Sequence, residues 1–302
     1  MGVKLGPLAK RRSLDLGPIR GETLGIDVPN VIYRHIFQIR GPDGLPYRNA
    51  DGQKIGHLIG LCNEISVILK VGIRPVFAFD GMTPDLKSET ARIRARTQRP
   101  GFKLDSRMNG EMMKLLDLLG MPWVQAPEEA EAQIAYMTRH GCWASLTNDY
   151  DALMFGSTRM VRAISRGLAD VVVLEEILQE LSLDREGLVD VGVLIGTDYN
   201  PGGIRGIGPK RALSMVRKRG NLEGVLSDLR IEGEQLDHLM KIREYYLEPP
   251  VEKTWTPTSS GIDPGRAYSY LVDDMKLAEK MVRRLLDLLG DGSSQSDLSS
   301  WS

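Results

Sequence analysis

Three short apolar runs in the first half of the chain each close on an aspartate: Leu24–Asp27, Pro75–Asp80 (PVFAFD) and Trp143–Asp149 (WASLTND). Each has the length of a buried strand. Between them, apolar residues recur at helical spacing over His57–Lys70, Glu111–Leu119 and Glu128–Arg139. Apolar strands separated by helices predict an α/β fold, a mainly parallel twisted sheet flanked by helices. Ligands of such folds bind beyond the carboxyl ends of the strands, which is where the three aspartates fall. From about Leu174 the pattern turns helical: VLEEILQEL, then Arg185–Ile195, then a basic helix over Pro209–Arg219 after a break at Gly202–Gly208, and an amphipathic helix over Met275–Leu289. Pro249–Gly265 reads as a loop or linker, and the Ser-rich Gly290–Ser302 is expected to be disordered. No internal repeat of fixed period is found.

Composition narrows the class. The 302 residues are 42% hydrophobic and 26% charged, ordinary for a globular protein with a sizeable core. No apolar run is long enough to cross a bilayer, and the basic start (Lys4, Lys10, Arg11, Arg12) lacks the apolar stretch of a secretory signal. An intracellular, soluble protein is expected. Cys62 and Cys142 have no CxxC partner and read as buried thiols of a reducing compartment. The net charge of -1 argues against a nucleic-acid-binding protein only if the charges are mixed. Acids in one pocket and bases on another face would cancel in the sum while each field stays strong.

Seven acids stand out by context: Asp27, Asp80, Glu129, Glu131, Asp149, Asp151 and Asp198. Asp27 and Asp80 end apolar strands. Asp149 and Asp151 follow another strand and flank Tyr150. Glu129 and Glu131 open a helix introduced by Ala126-Pro127, where the helix dipole favours acids, whereas Asp198 closes the apolar helix VGVLIGTD, where it does not. Taken singly, each has a plain reading as a solvated first-turn acid, a cap or an Asx-turn. Together they gather negative charge at one sheet edge, which is costly unless cations neutralise it. Oxygen ligands without His or Cys suit Mg²⁺, with Mn²⁺ as a substitute, rather than zinc. Two Mg²⁺ about 3.5–4 Å apart are one solution to phosphodiester hydrolysis. His35, His57, His140 and His238 show no ligand spacing.

Two basic segments complement the acids. Asp85 to Arg107 holds seven bases and three acids, with Lys87 and Arg94 two helical turns apart beyond the strand that ends in Asp80. Gly203–Ala212 (GGIRGIGPKRA from Gly202) follows a hydrophobic–x–Gly–hydrophobic–Gly pattern, with Pro209 opening the next helix. Its glycines allow close backbone approach, and a helix N-terminus offers free N–H groups to a phosphate. Arg205, Lys210, Arg211, Arg217, Lys218 and Arg219 add six positive charges with no acid between Gly203 and Gly220, a sequence-independent grip on a duplex backbone.

The segments GIDVPNVIY (25–33), FDGMTPDLKS (79–88), APEEAEA (126–132), NDYDALMFG (148–156) and GTDYNPGGIRGIGPKRAL (196–213) resemble the archaeal flap endonucleases, in the XPG-like superfamily of 5′ structure-specific nucleases. The likeness runs from Met1 to nearly the last residue. It implies a PIN-like nuclease core with a helical C-terminal part carrying a helix–two-turn–helix. It also implies that the seven acids are metal ligands, and that Lys87 and Arg94 are catalytic bases of a helical arch, acting with Asp27, Asp80 and Glu129. Tyr33 matches an aromatic that stacks on a nucleobase, Gly2 a glycine near the active site, and Gly203 to Lys210, with Gly206, Gly208 and neighbouring Arg211, the duplex-binding turn beside a monovalent cation such as K⁺. The chain departs from the family in a shorter segment between Arg94 and Glu129, a trimmed stretch after Phe155, and Val28-Pro29 after the first aspartate. Threading of a 5′ strand through the arch is therefore left open. The tail Gln295, Leu298, Trp301 resembles a sliding-clamp box without its second aromatic.

The expected organisation is one nuclease domain over 1–290, with N-terminal (1–100), shortened arch (101–127), internal (128–200) and helical DNA-binding (201–290) parts, and a flexible tail over 291–302. The expected activity is Mg-dependent hydrolysis at 5′ flaps by a monomer, with 5′-3′ exonuclease action on nicked or gapped duplex. Two other classes are weighed: a non-catalytic DNA-junction binder, and a phosphatase using the D-x-D of Asp149 and Asp151. A small-molecule phosphatase has no need of the duplex-binding hairpin, and a pure binder has no reason to bring anions near phosphate.

Overall fold

The computed structural model describes residues 3–41, 43–87, 104–254, 256 and 261–293, without the side chains of Lys87 and residues 291–293. Gly2, Arg94, Gln295, Leu298 and Trp301 lie outside the described residues.

Among the described residues seven strands form one sheet: β1 (Arg12–Asp15), β2 (Thr23–Asp27), β3 (Arg74–Phe79), β4 (Trp123–Gln125), β5 (Ala144–Leu146), β6 (Arg159–Ser165) and β7 (Leu168–Val173). The spatial order is β1-β7-β6-β5-β2-β3-β4. The pairs β2–β3, β2–β5, β3–β4 and β5–β6 are parallel, while β1–β7 and β6–β7 are antiparallel. The sheet is thus mixed and mostly parallel. The three aspartate-bearing runs supply three adjacent parallel strands, β5, β2 and β3. The run Trp143–Asp149 is strand only over Ala144–Leu146, and Thr147 to Asp149 form the turn beyond it.

The helices are α1 (Val28–Gln38), α2 (Gly56–Lys70), α3 (Ser106–Leu118), α4 (Ala130–Thr138), α5 (Asp151–Met154), α6 (Leu174–Leu181), α7 (Arg185–Ile195), α8 (Pro209–Arg219), α9 (Leu222–Asp228), α10 (Gly233–Leu247), α11 (Pro264–Tyr268) and α12 (Glu279–Ser293). Strand alternation decides which layer each covers. Phe77 and Phe79 of β3 pack with α1, α2, α3 and α12, whereas Val76 and Ala78 pack on α4 with Val124 and Ile134. A second large cluster joins α5 to α10 on β6 and β7 through Met160, Val172, Leu188, Val216 and Tyr246. No described helix is long and apolar enough to cross a membrane. Both cysteines are buried and free, and burial pushes each thiol up to about 12.

Expected boundaries move at three helices, and α3 starts at Ser106, five residues before Glu111. The last helix starts at Glu279, not Met275, because Ser269–Asp274 forms a π-helical turn and Lys276 takes a left-handed conformation (φ +56°). It also runs on to Ser293, so Gly290 to Ser293 are helical rather than disordered. Asp198 does not lie on a helix C-terminus: α7 stops at Ile195 because Gly196 turns to φ +103°, a backbone state for glycine. The dipole objection to an acid there disappears with the helix.

Candidate metal centre and nucleic-acid interface

Adjacent parallel strands bring their final residues to one edge. Asp27 ends β2 and caps α1: its Oδ1 accepts from the Asn30 backbone N–H (3.1 Å) and its Oδ2 from the Thr147 hydroxyl (2.9 Å). Thr147 lies just past β5 and its hydroxyl also accepts from the Asp149 backbone N–H (3.2 Å). Asp80 stands one residue beyond β3, and its Oδ1 accepts from the Ala130 backbone N–H (3.0 Å) at the start of α4. Gly81 and Met82 donate to the carbonyls of Glu128 (2.7 Å) and Pro127 (2.9 Å), which stitches this turn to the turn that carries Glu129 and Glu131. Only glycine fits at position 81, since a Cβ there would lie 2.0 Å from the Ala126 carbonyl oxygen.

Glu129 is the N-cap of α4 and is buried, its Oε1 accepting from the Tyr199 hydroxyl (3.1 Å). Asp149 Oδ1 accepts from the Asp151 backbone N–H (3.2 Å) at the start of α5. Asp151 is buried, with Oδ1 accepting from the Val3 backbone N–H (2.6 Å) and Oδ2 from the Tyr246 hydroxyl (2.7 Å). Carboxylate oxygens of Glu131, Asp149 and Asp151 all lie within 4.8 Å of one another.

Charge couples each of the seven acids to at least one other. Burial, then Asp80, pushes the Asp27 carboxyl up to about 7. Burial, followed by Asp149, Asp27, Asp151 and Glu129, holds Glu131 well above the usual carboxylate range. Asp151 is raised by burial, Asp149 and Asp198, and Asp149 is raised by burial with Asp198 adding to it. Seven carboxyl groups from five separate stretches of chain are thus gathered where repulsion is costly. The set is all oxygen, partly buried and oriented by outer hydrogen bonds, which fits hard divalent cations. The four histidines contribute nothing to it: His57 is buried on Glu111 (2.7 Å), His35 meets Glu64 (2.8 Å), His140 stacks on Tyr136, and His238 is exposed on α10.

The sequence pattern did not single out Asn30, Thr147, Tyr199 or Tyr246, which hold the acids in place. Tyr33, on α1, is half-buried; its ring stacks on Phe37 (6.4 Å between centroids) and its hydroxyl accepts from the Leu104 backbone N–H (3.3 Å). Lys87 closes a short 3-10 turn, Asp85–Lys87.

The glycine-rich turn packs directly on the loop that carries Asp198. Ile204 donates to the Leu194 carbonyl (2.9 Å), Gly203 has φ +57°, and a Cβ on Gly203 would lie 2.4 Å from the Ile195 carbonyl carbon. Gly202 and Gly206 also take positive φ, and Gly208 is the N-cap of α8. Arg205, Lys210, Arg211 and Lys218 are exposed, Arg211 donating to the Gly206 carbonyl (3.1 Å). The six-base grip shrinks, because Arg217 donates to the Leu181 carbonyl (2.8 Å) and Arg219 pairs with Asp228. Those two arginines tie α8 to α6 and α9.

Comparison with known proteins fits this geometry. The XPG N-terminal domain matches residues 1–100 and the XPG I-region residues 120–198. Flap endonuclease 1 of Aeropyrum pernix is 36% identical over 331 aligned positions, covering 96% of this chain and 95% of that protein. Flap endonuclease 1 of Thermococcus onnurineus is 33% identical and covers 100% of this chain and 99% of its own. The 331 aligned positions exceed the 302 residues here by 29, so the Aeropyrum protein carries segments without a counterpart in this chain. Among solved structures, flap endonuclease-1 from Methanococcus jannaschii superposes with a TM-score of 0.80 at 29% identity, over 96% of this chain and 99% of that one. The catalytic core of Rad2 in complex with DNA substrate gives 0.77 at 25% identity, over 95% of this chain and 100% of that one. The acidic strand ends, the glycine turn beside Asp198 and these full-length likenesses agree: the chain belongs to the XPG/flap endonuclease family of nucleases.

Proposed function

We propose that this protein is a metal-dependent, structure-specific DNA endonuclease that hydrolyses phosphodiester bonds at the base of 5′ flaps in replication and repair, with 5′-3′ exonuclease action on nicked or gapped duplex. One observation carries the reading. Seven carboxyl groups, each facing the charge of at least one other, gather beyond the ends of β2, β3 and β5, and the Asp198 loop joins them to an exposed basic turn built for a phosphate backbone. The named activity of the relatives and the DNA substrate of the Rad2 core support the same reading.

Two divalent cations, Mg²⁺ or Mn²⁺, would be held by Asp27, Asp80, Glu129, Glu131, Asp149, Asp151 and Asp198. They would supply a water of lowered pKa and a Lewis acid for the scissile phosphate. The chain's own residues do the rest. Thr147 and Asn30 fix Asp27, Tyr199 fixes Glu129, and the Ala130 N–H fixes Asp80, so that the oxygens meet the cations without reorganisation. Arg205, Lys210, Arg211 and Lys218, with the amides of Gly203, Gly206 and Gly208, hold the duplex, and the Gly203–Lys210 turn would hold a K⁺ that supplies further positive charge there. Lys87 and Arg94 steady the scissile phosphate, Tyr33 stacks on the adjacent base, and Gly2 lines the site. Gln295, Leu298 and Trp301 engage a sliding clamp. The protein acts as a monomer within one nuclease domain over 1–290, in the cytoplasm at the nucleoid.

The test is cleavage of end-labelled 5′ flap, 3′ flap, nicked duplex and single-stranded DNA, each in Mg²⁺ and in chelator. Chelator-sensitive cutting at the 5′ flap base is expected. Tight flap binding without cutting in either metal would establish the non-catalytic junction binder instead. Turnover of an aryl phosphate with all DNA spared would establish the phosphatase.

A further inference from the structure

Asp151 receives its second hydrogen bond from far away. Tyr246 lies 95 residues on, in the last turn of α10, and donates its hydroxyl to Asp151 Oδ2 at 2.7 Å. The Tyr246 ring is fully buried, with Phe155 at 4.7 Å and Tyr199 at 5.6 Å between centroids. The end of α10 is itself pinned: Arg185 donates to the Leu247 carbonyl (2.8 Å) and to the Phe155 carbonyl (3.0 Å). A phenylalanine would fill the same space. A buried hydroxyl is costly unless it is partnered; that of Tyr246 donates to Asp151, with the Thr197 side chain also in hydrogen-bond reach.

We propose that Tyr246 is a positioning residue for the divalent-cation site, fixing Asp151 so that the site binds its cations tightly. The inference rests on the metal-nuclease reading of the cluster. Each carboxylate oxygen has two lone pairs. The bonds from Val3 and Tyr246 therefore lock the carboxylate plane and still leave one lone pair on each oxygen for a cation. Without the hydroxyl, Asp151 gains rotational freedom and an unpaired buried oxygen. Removing an outer partner of a metal ligand typically costs about 10–100-fold in affinity or activity.

The experiment is calorimetric titration of the DNA-free protein with Mn²⁺, in wild type, Tyr246→Phe and Phe155→Leu, alongside the Mg²⁺ dependence of flap cleavage. Tyr246→Phe is expected to weaken Mn²⁺ binding about tenfold and raise the half-saturating Mg²⁺ by a similar factor. Its kcat at saturating Mg²⁺ and its flap affinity in chelator are expected to stay near wild type. Phe155→Leu disturbs the same aromatic packing without touching a carboxylate. It should lower the melting temperature and leave Mn²⁺ affinity in place. Equal Mn²⁺ affinity in wild type and Tyr246→Phe would overturn the inference, as would an equal loss in Phe155→Leu. A wild type that binds no Mn²⁺ would instead overturn the reading of the cluster as a metal site.

Discussion

Asp27, Asp80, Glu129 and Asp151 are held by partners chosen for geometry rather than charge: a backbone N–H, a threonine or a phenol. Among the described residues no lysine or arginine forms an ion pair with Asp27, Glu131 or Asp151. The repulsion is left for cations to cancel, and this gives Asp149→Ala a double signature. It should abolish Mg²⁺-dependent cleavage and leave flap binding in chelator nearly intact. It should also raise the melting temperature of the metal-free protein near neutral pH, because one member of a repelling buried set is gone. A melting temperature below wild type in chelator would contradict that account. The acids themselves were legible in the sequence because strand ends and helix starts are local patterns. Their partners were not. Thr147 reads as an ordinary residue at a strand end, and Tyr246 meets Asp151 only through tertiary packing.

Elements show the same division. Among the helices with clear apolar spacing, α7 and α8 match the sequence pattern to the residue, whereas α3 begins five residues before its expected start at Glu111 and α12 four residues after Met275. The strands β1, β4, β6 and β7 have no such signal. β4 spans only three residues, and β6 carries Arg159 and Arg162 and breaks register between Val161 and Ala163, which spoils its alternation. Charge patterning on α8 was legible as a run but not as a division of labour. The prediction at this scale separates the two groups of bases. Lys210→Ala should weaken flap binding and reduce the slope of log affinity against log salt by about 1, because one phosphate contact is lost. Arg217→Ala should leave that slope unchanged and lower the melting temperature, because it frees the Leu181 carbonyl and loosens α8 from α6. Equal salt slopes for the two variants would show that both bases face the duplex.

At the scale of the whole molecule, a net charge of -1 conceals an acidic edge and a basic turn that meet at the Asp198 loop. The acidic edge makes stability depend on pH in a particular direction. A carboxyl raised in the folded state stabilises the fold while it is protonated. That contribution is complete below the unfolded value, 3.8 for Asp27, and is lost as pH rises through the folded value, about 7 for Asp27. Glu131, Asp149 and Asp151 shift the same way. In chelator the protein should therefore melt higher at about pH 5.5 than at about pH 8. Mg²⁺ should raise the melting temperature more at the higher pH, where protons no longer compete with it. Melting curves in chelator that do not move between these values would remove the basis for the shifts. The meeting of the two regions also has a genetic consequence. A Cβ on Gly196 would lie 2.4 Å from the Gly203 backbone nitrogen, and one on Gly203 would meet the backbone of Leu194, Ile195 and Gly196. Each glycine faces main chain, so no neighbouring side chain can be shortened to make room. A missense allele at either position should lose duplex binding and cleavage in a single step. A search for intragenic suppressors of such an allele should return true revertants to glycine and no compensating second-site change.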